Sequence, residues 1–170
     1  MVIDGTDFKR QEPHPYTKEV NRKWFTPKFK SAGFRWEVGT SISRGDICWF
    51  HGPFPCGMMS DLRIFRLKLK QLLLPGEKVF ADKGYKGDIK CVTPYEAKNK
   101  SHKRAMVLSR ARHETINRRF KTWGVLYQTW RNENEKHAFV FKAVVTIVQI
   151  EISNGRPPFK VDQFEDCAFI

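Results

Sequence analysis

Acid is what this sequence lacks most. Its 170 residues carry 31 Lys and Arg against 18 Asp and Glu, a formal net charge of +13. Between Glu96 and Glu133 a single carboxylate, Glu114, stands among Lys103, Arg104, Arg110, Arg112, Arg118, Arg119 and Lys121. A chain so biased suits a polyanionic partner, because each Lys or Arg that meets a phosphate releases condensed counterion. Nucleic acid is the partner expected. Metal-binding cysteine spacing is missing as well. Cys48, Cys56, Cys91 and Cys167 form no CxxC pair and the five histidines are scattered, which indicates neither a zinc site nor a disulfide framework. The thiols are expected to be reduced and mostly buried. Long apolar runs are also absent: the richest stretch, Ala138 to Ile152, is broken by Lys142 and Gln149 and is too short to span a bilayer. The opening MVIDGTDF does not follow the basic-then-apolar pattern of a secretory leader. An intracellular protein with no membrane partner is expected, without internal repeat or low-complexity block.

Enough apolar material is present to fold. A hydrophobic fraction of 41% with 14% aromatics is a globular composition, and this length suits one domain with a sizeable core. A short apolar strand at Val2-Ile3 runs into Asp4-Gly5, and the polar, proline-bearing Lys9 to Lys30 reads as a long loop anchored by Tyr16, Trp24 and Phe25. Phe34, Trp36 and Val38 alternate with Arg35 and Glu37, then Ser43-Arg-Gly-Asp46 turns the chain into Ile47 to Phe50, a hairpin. Ser60 is placed to cap a helix from Asp61 to about Leu73, stopped by Pro75-Gly76. A second short strand, Glu77 to Ala81, ends at Asp82, and residues 86 to 101 read as loop. Lys103 to Gly124 follows as a helix with Met106, His113, Ile116, Phe120 and Trp123 on one face and Arg110, Glu114, Asn117 and Lys121 beside it. From Glu133 to Ser153 the length and polar period favour a buried helix over a strand, and residues 154–170 read as a peripheral tail.

Two apolar strands thus end in aspartates next to glycines, Asp4-Gly5 and Asp82-Lys-Gly84, and a later helix presents one acid in a basic field. Three carboxylates converging at such places are what a two-metal phosphoryl-transfer site needs: hard oxygen ligands with open positions for water and phosphate. Each aspartate also reads as an ordinary turn residue, and Glu114 as one half of an ion pair with Arg110. The glycines would let a nucleic-acid backbone approach. Asp7 reads as a solvated loop acid, Asp61 as a helix-start residue favoured by the dipole, and His113 as a satisfied interior histidine.

VIDGTDF, GFRWEVGTSISRGDICWFHGPFPCG, SDLRIFR, PGEKVFADKGYKG and SRARHETINRRFKTWGVL occur in this order and together resemble the DDE superfamily endonuclease domain of Harbinger-type transposases. The resemblance covers residues 1–153. It implies an α/β fold similar to ribonuclease H, a mixed central sheet flanked by helices, with one acid on the first strand, one after the fourth and a glutamate on a late helix. By motif these are Asp4, Asp82 and Glu114, holding two Mg²⁺ ions for which Mn²⁺ would substitute. Arg110, Arg118 and Lys121 resemble the residues that hold the DNA backbone in such enzymes. The reading is a metal-dependent nuclease that cleaves and joins DNA, nuclear in location. The alternatives are a catalytically silent DNA-binding or interaction protein and an RNA-directed nuclease. The N-terminal DNA-binding region of the family is expected to be absent, which brings in a homo-oligomer and a separate DNA-binding protein as further partners. Without metal, three close carboxylates would repel one another and strain the site.

Overall fold

In the computed structural model, which describes residues 1–96 and 100–159, the strand at the N-terminus does not stop at its first aspartate. β1 (Val2–Lys9) pairs along its whole length with β3 (Ser31–Thr40), antiparallel, from Val2↔Thr40 to Lys9↔Gly33. The alternation of Ile3, Gly5 and Asp7 with Val2, Asp4, Thr6 and Phe8 fits a strand covered on both faces, and Asp4 lies inside it. β2 (Phe25–Thr26) pairs with the start of β3, and β4 (Ile47–Pro55) with the rest. On its other edge β1 is joined in parallel by β5 (Val79–Ala81), and β5 by β6 (Cys91–Val92). The order is β2-β3-β1-β5-β6, with β4 also on β3. This six-stranded mixed sheet with helices on its faces is an α/β arrangement of the ribonuclease H-like kind.

Residue period decides which helix covers which face. Phe8, Trp36 and Val38 point to one side, where α4 (Lys100–Thr122) and α6 (Asn134–Ser153) bring Ile116, Phe120, Phe141 and Val148. Nearer the start of β1, Val2 and Phe80 meet Met106 of α4. Ile3, Val79 and Ala81 point to the opposite side, against Phe65 of α2 (Asp61–Leu67) and Leu69 of α3 (Leu69–Leu72). The helix expected from Asp61 to Leu73 is therefore two, broken at Lys68, whose φ of −143° is not helical. The expected loop from Lys9 to Lys30 contains α1 (Lys18–Trp24), capped by the Thr17 hydroxyl, as well as β2. Residues 86–101 contain β6, and α5 (Gly124–Tyr127) follows α4 directly.

Polar groups fix how α6 sits. The Trp36 indole N–H donates to His137 Nδ1 at 3.3 Å inside a shell of aromatic rings, and burial holds the His137 pKa down at about 4. At the far end Gln149 accepts from Ile47 N at 2.7 Å and donates to Asp46 at 3.0 Å. Of the expected tail, residues 154–159 return to the fold: Arg119 donates to the Arg156 carbonyl at 2.7 Å and Pro158 is buried. Residues 160–170, including Cys167, lie outside the described residues. Cys56 and Cys91 are buried free thiols and Cys48 is exposed. No helix among the described residues is long and apolar enough to cross a membrane.

Among the described residues, Glu37 is the one acid in the middle of the sheet with no solvent contact, at 0% exposure. It faces α2, opposite Gly5, and its Oε2 accepts from Trp49 Nε1 at 2.9 Å. Burial pushes its pKa up to about 7, against the pull of Trp49 and the Tyr85 hydroxyl. The folded state therefore holds a proton that the unfolded chain has released above its ordinary value of 4.5. This contribution is fully present below pH 4.5 and is lost as pH rises through 7. Glu37→Gln is expected to melt like the parent near pH 4 and roughly 6–12 °C above it at pH 8, on the order of 3 kcal/mol. Equal melting temperatures at pH 8 would show that Glu37 is not held protonated.

Candidate active site

The parallel register of β1 with β5 creates the site. Ile3 pairs with Ala81, the last residue of β5, so the next residues on the two strands, Asp4 and Asp82, emerge side by side. Both belong to the alternation that faces α4. Asp4 Oδ1 accepts its neighbour Gly5 N at 2.8 Å, and Asp82 caps the 3₁₀ turn Lys83–Tyr85 through Lys83 N. Burial raises the Asp4 pKa to about 6; the Gly5 hydrogen bond, Lys28 and Arg110 pull it down, and the charge of Asp82 pushes it further up. A carboxylate in that state is short of positive charge.

α4 runs over this pair from Met106, seated on Val2 and Phe80, to Lys121, whose ammonium lies 5.8 Å from the Phe8 ring centre. Two residues of β1 separate Val2 from Asp4, about 7 Å of strand, and the same distance covers about five residues of helix. That brings the level of Asp4 between Arg110 and Glu114. Arg110 lies 3.3 Å from Asp82 Oδ2, an ion pair that is partly exposed on both sides. Glu114 is exposed on the same stripe. Lys121 lies within electrostatic reach of Asp4 and Asp7. Arg118 is exposed and forms no ion pair among the described residues. No three His, Cys, Asp or Glu side chains among the described residues come close enough together to hold a metal ion. Asp4 and Asp82, which leave adjacent strand ends and whose charges act on each other, offer carboxylate oxygens of the kind that suits a hard divalent cation.

Two residues beside Glu114 set the rotation of α4. His113 is buried; its Nε2 meets the Val38 carbonyl at 2.9 Å, where only an N–H can bond, so Nδ1 accepts from Asn117 at 3.2 Å. Burial holds its pKa down at about 4, which keeps it neutral. Arg112, one of the cations clustered around Glu114 in the sequence, is 1% exposed. Its guanidinium donates to the carbonyls of Ser41, Ile42 and Ser43 in the turn between β3 and β4.

On the other face of the sheet stands a second set of charges. Asp7, expected as a solvated loop acid, is 2% exposed and accepts from Arg35 Nε at 2.8 Å and Nη2 at 3.0 Å. Burial alone would raise its pKa, but Arg35 and the Thr26 hydroxyl overcome this and lower it. Arg35 also lies 3.5 Å from Asp61. Asp61 begins its helix as expected and in addition reaches the site. A Cβ built on Gly5 would meet Asp61 Oδ1 at 2.3 Å, and one on Gly84 would meet Oδ2 at 3.0 Å. The missing side chains thus make room for the Asp61 carboxylate rather than for nucleic acid. Burial raises the Asp61 pKa, Arg35 offsets this, and Asp4 adds to it. Arg35 and Lys28 were not singled out by motif or spacing, and Asp61 was read only as a helix-start residue. The signal for Arg35 was legible: a charged residue alternating with Phe34 and Trp36 in a central strand must find a buried partner.

A family model described as DDE superfamily endonuclease matches residues 3–149. No curated protein and no solved structure matches the chain.

Gly5→Ala is expected to cost about 1–3 kcal/mol, because the added methyl overlaps a carboxylate held by Arg35. Asp61→Ala vacates that space, so the double variant should lose clearly less stability than the sum of the two single losses in denaturant melts. Strict additivity would mean that Asp61 does not fill the Gly5 position.

Proposed function

The chain belongs to the DDE superfamily endonuclease family, and on that premise we propose that it is a metal-dependent DNA endonuclease of transposase type, with Asp4, Asp82 and Glu114 as its catalytic carboxylates. The observation that carries this reading is the emergence of Asp4 and Asp82 side by side after Ile3↔Ala81, beneath a helix that bears Glu114. Asp4 and Asp82 would hold Mg²⁺, or Mn²⁺ in its place, and Glu114, which stands apart from that pair in the described geometry, is proposed as the third ligand; the ion when bound supplies Lewis acidity to activate a water or 3′-hydroxyl and to stabilise the leaving oxygen.

The chain's own residues position substrate and balance charge. Arg110 and Lys121, a helical stripe either side of Glu114, face the DNA backbone, and Arg118 extends the basic surface from the next turn. Arg110 has two roles. In the absence of another cation it neutralises Asp82 at 3.3 Å, and once a cation takes that place its guanidinium is free to bond a phosphate oxygen. The repulsion expected between bare carboxylates is accordingly met by internal cations, Arg110 at Asp82 and Arg35 at Asp61.

Nicking of supercoiled DNA should require Mg²⁺ or Mn²⁺ and should vanish in Asp4→Asn, Asp82→Asn and Glu114→Gln while DNA binding persists. Cleavage by Asp82→Asn at the parent's rate would overturn the assignment. With a site affinity on the order of 1 mM and about 10 mM Mg²⁺, the parent should gain roughly 3–6 °C in melting temperature. Asp82→Asn should gain much less. Arg110→Gln should gain more than the parent, since the competing cation is gone, and should bind DNA more weakly. A shift unchanged by either substitution would show that the ion does not bind at Asp82.

A further inference from the structure

The turn between β2 and β3 is rooted in the buried Asp7–Arg35 pair. Thr26, 1% exposed, donates its hydroxyl to Asp7 Oδ2 at 2.9 Å and accepts from Lys28 N at 3.4 Å. Phe29 N bonds the Thr26 carbonyl at 3.3 Å, and Lys30, at φ 53°, completes the reversal that lets Thr26 pair with Ser31. The turn is therefore fixed at its base, and it carries the exposed Lys28. The Lys28 ammonium lies within electrostatic reach of Asp4, Asp7 and Asp61, and of Lys121.

Lys121 arrives from a separate element. α4 sets it over the Phe8 ring at 5.8 Å, while the first turns of the same stripe are anchored by Arg110 on Asp82 at 3.3 Å. Burial and then the charge of Lys28 depress the Lys121 pKa, so the two ammonium groups are close enough to repel. Neither forms an ion pair among the described residues, and Asp7 is already saturated by Arg35 and Thr26. Two like charges, one carried on an anchored turn and the other on α4, and neither bonded to a carboxylate, are relieved by an anion with several oxygens. Phe8 lies four residues beyond Asp4, about 13 Å along the strand, which puts that anion beside the carboxylate pair rather than on it.

We propose that Lys28 and Lys121 form a two-armed clamp for one backbone phosphate of the bound DNA strand, adjacent to the phosphate that faces Asp4 and Asp82. This rests on the reading of DNA as substrate, and it assigns the β2–β3 turn, through Lys28, a part in holding it. Thr26 is a positioning residue: it touches no DNA and acts through the turn.

The test is fluorescence anisotropy with a fluorescein-labelled DNA duplex in EDTA, over a series of salt concentrations. Lys28→Ala and Lys121→Ala should each lower affinity about tenfold, the loss of one charge-assisted contact. Each should also make the log–log salt slope shallower by about 0.9. Because both arms hold one phosphate, the double variant should lose far less than the hundredfold product. Lys28→Arg should restore binding. Thr26→Val should weaken binding in the parent and add nothing to Lys28→Ala, a dependence that a purely structural role would not give. Lys18→Ala, which removes the same charge from an exposed position on α1, is the control. A loss for Lys28→Ala no larger than for Lys18→Ala, or strictly multiplicative losses for the two lysines, would overturn the clamp. Binding is read without metal, so the two readings fail separately. A chain that shows the Lys28–Lys121 coupling but never cleaves would sink the endonuclease assignment and uphold the clamp. A chain that cleaves yet shows no coupling would sink the clamp alone.

Discussion

Everything at the candidate site depends on two hydrogen-bonded residue pairs between β1 and β5. Val2↔Phe80 and Ile3↔Ala81 are the whole of that parallel ladder, and the aspartates emerge where it ends. Because side chains alternate along a strand, a shift of one residue would turn Asp82 to the α2 face and bury Ala81 against α4. The register is protected by apolar contacts on both sides of the sheet: Val2 and Phe80 against Met106, Ile3 and Ala81 against Phe65 and Leu69. Hydrophobic packing places the carboxylates, and they return only local bonds, Asp4 to Gly5 N and Asp82 to Lys83 N and Arg110.

Charge is then balanced by position rather than by number. With a net +13 the protein has cations to spare, yet the site uses few of them, each with one task. Arg35, rooted in the sheet, is committed to Asp7 and leans on Asp61, and Arg110 leans on Asp82 from the helix. Asp4 alone among these acids has no ion-pair partner within the described residues, and its pKa, pushed up by burial first, reflects that. A fully paired Asp4 would be a more stable carboxylate and a poorer ligand.

Much of this was legible from residue order. Short apolar segments ending in Asp-Gly and Asp-Lys-Gly, and a lone glutamate in a basic helix, pick out Asp4, Asp82 and Glu114 as candidates without coordinates; the structure brings the first two to adjacent strand ends, and the family match over residues 3–149 bears out the resemblance itself. The buried status of His113 followed from helical period. What escaped were interactions that join distant segments. Asp61 satisfies a helix start and, independently, the gap above Gly5 and Gly84; local sequence contains only the first. Asp7 looks like a loop acid until Arg35 is found opposite it in the β1–β3 register. Lys68 breaks a helix whose apolar spacing continues unbroken through Leu69, which is buried on the far side of the break.

Arg112 couples α4 to the turn between β3 and β4 through main-chain oxygens alone. Such a joint reads the length of the turn and is indifferent to the side chains of the residues whose carbonyls it holds. Substitutions at the exposed Ser43 leave the joint intact. Adding or removing a residue there would move the carbonyls and, through Arg112, rotate the next residue but one on the helix, Glu114. An outer loop of this protein is thus free to vary in spelling but not in metre, and a change of its length is felt at the far side of the helix.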